Sequence, residues 1–91
     1  MRDWTALSDE ERNDIESKLK AALNSIGIKG AVTRWNKPVQ PPHWQLVIET
    51  SWCDKKPRSN ILIARDQVMA RADIEGPRSA VILKSPAGKW K

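Results

Sequence analysis

His43 and Cys53 flank the segment "PPHWQLVIETSWC" (residues 41–53), and each is the sole residue of its type in the chain. A thiol within hydrogen-bond reach of an imidazole makes an activated nucleophile. An extended segment between them forbids that pairing, since ten residues at roughly 3.3 Å each separate the two groups by about 30 Å. Cys53 then reads as a bystander, with a pKa that Lys55 and Lys56 would lower only if the thiol were exposed. His43 reads as a strand-edge residue hydrogen-bonded to its turn.

Other constellations that carry chemistry also fall short. One cysteine and one histidine exclude an internal disulfide and leave too few ligands for a structural zinc site. Asp66 and Asp73, seven apart on a helix, would stand about 10.5 Å from each other, too far to act together. "PAGKWK" has a Gly-Lys pair without the earlier glycine or the following hydroxyl of a phosphate loop. The expectation is a protein that is not an enzyme and carries no cofactor or metal.

What remains is cations interleaved with indoles. The chain holds five Trp but no Phe or Tyr, and carries a formal charge of +5. Residues 1–26 contain six acids and four bases, whereas residues 27–91 contain five acids and twelve bases, so the excess charge follows the first helix. Arg34, Trp35, Lys37 and His43 fall around one turn; Trp52, Lys55, Lys56 and Arg58 fall beyond the next strand; Trp90 sits between Lys89 and Lys91. Indole faces stack on bases or guanidinium planes, cations neutralise phosphates, and Trp and Arg also dominate protein–protein hot spots. In a hairpin the first group gathers at one end of the sheet and the second at the other, giving two patches.

The elements that position these residues are legible in part. "LSDEERNDIESKLKAALNSIGIKG" opens with a capping box, Ser8 to Glu11, and carries Ile15, Leu19, Ala22, Leu23 and Ile26 on one helical face before Gly27 stops it. Asp14–Lys18 and Glu16–Lys20 fit solvated pairs spaced i,i+4. "AVTRW" alternates as a strand, and the prolines of "NKPVQPP" end it. In the next strand Trp44, Leu46 and Ile48 face the core, while Trp52 lies where the chain leaves it. "ILIA" reads as a third short strand and "RDQVMARADIEGP" as a second helix stopped at Gly76-Pro77. Ile61, Ala64, Val68 and Ala72 also fit a single helix over residues 60–74. "SAVILK" reads as the last strand.

These expectations define one domain, residues 1–91, of the α+β class in α-β-β-β-α-β order, with a mainly antiparallel sheet, two helices on one face, and loose ends at 1–6 and 85–91. The first five elements resemble the order of the double-stranded-RNA-binding domain, and "PPH" resembles its proline-and-histidine turn. The lysine cluster opening that family's second helix is absent, the position reading "ARDQVMAR" with Asp66 where a lysine is needed, so only element order is shared. No apolar run approaches the roughly 18 residues of a membrane span, which makes the cytoplasm the expected address. The functional expectation is a protein-interaction module of inhibitor, adaptor or mobile-element accessory type, with self-association included because a short sheet offers an edge for pairing. The alternative is a module binding RNA or single-stranded nucleic acid, since the strongest helix is acidic and unfit for a DNA groove.

Overall fold

The first helix, α1 (Asp9–Ser25), begins as its capping box requires: the Glu11 N–H donates to Ser8 Oγ, and the Ser8 N–H donates to Glu11 Oε1. It ends in a Schellman motif, with Ile28 N–H on the Leu23 carbonyl and Gly27 N–H on that of Asn24. Gly27 adopts φ +89°, a left-handed conformation open to glycine at little cost. Ile15, Leu19 and Leu23 are fully buried, each worth about 1.5–3 kcal/mol of apolar burial.

A computed structural model describes residues 3–40, 42–77 and 79–86. Within it β1 (Val32–Asn36) and β2 (Gln45–Glu49) pair antiparallel, a 3₁₀ turn covers Ser51–Cys53, and α2 (Arg58–Ala72) leads to β3 (Val81–Lys84). The sheet order is β1-β2-β3, and β3 runs parallel to β2. The sheet is therefore mixed, because α2 is the crossover that returns the chain to the same end of the sheet. The class is α+β, with two helices and three strands.

The expected third strand is the principal correction. Ile61–Ala64 forms the first turns of α2, so residues 60–72 follow the single-helix pattern, with Ala64 and Val68 buried beneath and Leu62 and Ile63 outside. An Ile-rich run favours a strand only where a pleated neighbour exists. Both sides of β2 are taken, by β1 and β3. The element order thus departs from that of the double-stranded-RNA-binding domain. The stop also falls earlier than Gly76: Asp73 adopts φ +56°, its N–H bonds to the Ala70 carbonyl and Ile74 N–H to that of Met69.

One core joins α1, α2 and a single face of the sheet through Leu46, Ile48, Val81 and Leu83. The period-two expectation holds at Leu46 and Ile48, both nearly inaccessible. Val32, Arg34, Asn36, Val47 and Ile82 fall on the opposite face by register. The amino-terminal segment is not loose where Trp4 stands. That indole is 2% exposed, its Nε1–H donates to the Glu75 carbonyl at 2.8 Å, and its own carbonyl accepts from Trp44 N–H at 2.8 Å.

Candidate interaction surfaces

The hairpin end of the sheet gathers indoles, but turns them inward. Trp35 meets Trp44 edge-on with centroids 6.2 Å apart, and Trp4 at 6.1 Å, within the range of favourable aromatic pairs. Both Trp35 and Trp44 are half-buried against the core. The Arg12 guanidinium lies 4.1 Å from the Trp44 ring centroid and the Lys37 ammonium 5.3 Å, while Lys37 Nζ also donates to the Thr5 carbonyl. These cation–π contacts add about 0.5–1 kcal/mol each. They also occupy the indole that a base would need for stacking.

Arg34 and Trp35 are consecutive in β1 and so point to opposite faces of the sheet. Arg34 Nε pairs with Glu49 Oε1 at 3.2 Å across the face away from the helices. Trp35 turns to α1, where Glu16 accepts from both its Nε1–H and the Thr33 hydroxyl and also pairs with Lys20. Glu16 thus ties α1 to β1. The i,i+4 pairing with Lys20 was legible in the sequence, but the link to β1 was not, because nothing local distinguishes this carboxylate from Asp14.

His43 is buried, and its Nε2 lies 3.1 Å from Ser79 Oγ. The contact joins the residues preceding β2 to those preceding β3 and leaves His43 in a bracing position. Cys53 is buried in the 3₁₀ turn, and burial, then the neighbouring Asp54 charge, push its thiol pKa up. That is opposite to the lowering that exposure beside Lys55 and Lys56 would give. The five paired residues of β2 alone separate His43 from Cys53 by about 16 Å, so no dyad forms.

The second patch is more open. Thr50 caps the 3₁₀ turn by accepting from Trp52 N–H, which holds Trp52 half-buried against the core instead of free in solvent. Lys56 Nζ stands 5.0 Å from the Trp52 ring centroid. Lys55, in the left-handed region at φ +64°, Lys56 and Arg58 are all exposed. Among the described residues they make no ion pair at 4.0 Å or less.

Directly after them come Leu62 and Ile63, 38% and 57% exposed, with Leu62 one turn from Arg58 on α2. A shallow groove of about 460 Å³ runs from Leu62 past Arg65 and Met69 to Ile74 and Pro77. Sequence reasoning missed this surface because a strand at 61–64 would have buried those side chains. Trp90 lies outside the described residues.

Among the described residues no helix is long and apolar enough to cross a membrane, and no group of His, Cys, Asp and Glu could hold a metal ion. Comparison with protein-family models, curated proteins and solved structures returns no match for this chain.

Proposed function

We propose that this chain is a non-enzymatic interaction module that binds a protein partner through the loop Lys55–Arg58 and the adjoining outer face of α2. The observation that carries the reading is the exposure of Leu62 and Ile63 beside three cations without carboxylate partners among the described residues. Apolar side chains on a helix face gain free energy when a partner covers them, and a positive rim steers the approach of a negative one. The partner segment that fits carries apolar residues for Leu62 and Ile63 and acidic residues for Lys55, Lys56 and Arg58.

The test is affinity capture with the full chain from nuclease-treated lysate, repeated with Leu62→Asp and with Lys55→Glu/Lys56→Glu/Arg58→Glu. A discrete protein retained by the wild type and lost with both variants supports the reading. Retention by both variants, or capture that vanishes with nuclease, refutes it.

The same unpaired cations favour a second reading, single-stranded nucleic acid held through its phosphates. The four described indoles argue against stacking, since each already packs in the core or under a cation. Polarisation titration of a labelled oligonucleotide at two salt concentrations discriminates the readings: a salt-dependent affinity abolished by the triple charge reversal supports the second.

A further inference from the structure

The outer edge of β1 offers a different surface. In β2 the N–H groups of Leu46 and Thr50 donate to Ala80 and Lys84, towards β3. The N–H and C=O of a strand residue point to one side, and successive residues alternate, so Gln45, Val47 and Glu49 direct theirs at β1. Their register partners are Asn36, Arg34 and Val32. Thr33 and Trp35 therefore turn their N–H and C=O groups away from the sheet.

No other strand lies beyond β1, and residues 29–40 make no backbone–backbone hydrogen bond outside the β1–β2 pairing among the described residues. Of the usual protections of an edge the strand has no proline and a single charge, Arg34, which pairs with Glu49, and Val32 is 63% exposed. Pro38 limits the available stretch to the strand and its immediate flanks.

Charge decides what can occupy it. Residues 27–48 contain Lys29, Arg34 and Lys37 and no acid. The carboxylates that reach this rim are Glu16, paired with Lys20, Glu49, paired with Arg34, and Asp3, whose charge faces Lys37, which leaves four cations against three anions. A second copy pairing antiparallel along this edge would crowd Lys29, Arg34 and Lys37 of one chain against the same cations of the other, on a chain of formal charge +5. We propose that the β1 edge accepts, by strand addition, an extended acidic segment of a protein partner, its backbone bonding to Thr33 and Trp35 and its carboxylates meeting the cationic rim. This rests on reading the chain as a protein-binding module, but not on the α2 surface.

The probe is a capped peptide of alternating Val and Glu, titrated into the full ¹⁵N-labelled chain. Shifts and amide-exchange protection centred on Thr33 and Trp35 are expected, with binding at least tenfold weaker for a Val/Lys peptide and for a Val/Glu peptide N-methylated at alternate amides. The outward N–H of Thr33 is one of the two that the peptide must reach. Thr33→Pro removes that N–H while sparing the residues paired with β2, and it loses at least tenfold. If Thr33→Pro impairs folding, the N-methylated peptide on the wild type carries the test alone. Equal binding of the N-methylated or Val/Lys peptide overturns the inference, as does a map centred on Lys55–Ile63 or a solution dimer dispersed by Thr33→Pro. Leu62→Asp separates the two proposals, since it abolishes capture at α2 and leaves the peptide affinity unchanged.

Discussion

Gly76→Ala is the substitution whose cost the structure specifies best. A Cβ at this position would stand 2.5 Å from Trp4 Nε1 and 2.6 Å from Cε2, against the 3.4 Å where ordinary contact begins. The indole must therefore retreat by about 0.9 Å. Its Nε1–H is fixed on the neighbouring Glu75 carbonyl at 2.8 Å, and that retreat takes the bond beyond useful geometry. Overpacking costs about 1–3 kcal/mol, and a buried N–H without a partner about 1–3 more. One displacement causes both effects, so the expected loss is about 2–4 kcal/mol, from a total of roughly 5–14 for a chain of 91 residues. Urea unfolding followed by circular dichroism measures it, with a fall in Tm of roughly 10–25 °C as the thermal counterpart.

Trp4→Leu supplies the control, because it removes the indole atoms Nε1, Cε2 and Cζ2 that the Cβ would meet. In that background Gly76→Ala should cost under about 0.5 kcal/mol, a coupling that a double-mutant cycle isolates. Gly27→Ala, with open space around its Cβ but a left-handed backbone, should cost about 1–2 kcal/mol in both backgrounds. A Gly76→Ala protein as stable as wild type, or a penalty unchanged by Trp4→Leu, refutes the steric argument.

Four further outcomes follow from the same geometry. Ser8→Ala removes the acceptor for Glu11 N–H and should cost about 1 kcal/mol by urea midpoint. Asp73→Gly keeps the left-handed stop of α2 without a Cβ and should stabilise by up to about 1 kcal/mol in the same assay. Glu16→Gln keeps an acceptor for Thr33 but loses the charge facing Lys20, so it should cost less than Glu16→Ala, about 0.5 against about 1–2 kcal/mol. Cys53 is held protonated above its ordinary pKa, so its share of stability is complete below about pH 8.5 and declines as pH rises towards the folded value. The wild-type minus Cys53→Ala difference in urea midpoint should therefore shrink between pH 7 and pH 10, and an unchanged difference would contradict the burial argument.

Legibility in the sequence tracked how local the cause was. The capping box of α1, its apolar stripe and its glycine stop lie within a few residues of the atoms they govern, and each was readable. The parity of β2 was readable because Leu46 and Ile48 need only a helix somewhere on their side. The state of Ile61–Ala64 was not, since it depends on whether β2 has a free flank, and that depends on β3 twenty residues later. The site suffered from the same cause. Treating Trp35 as ligand-facing overlooked Trp4, which reaches it from the amino-terminal segment, while the exposed pair Leu62–Ile63 was hidden inside the strand assignment.

Trp4 grips residues that the ribosome delivers 40 and 71 positions later. Until both arrive, α1 emerges with an oily stripe and an indole whose Nε1–H and backbone carbonyl lack their partners. Closure of this short leading segment therefore waits until most of the chain has been made.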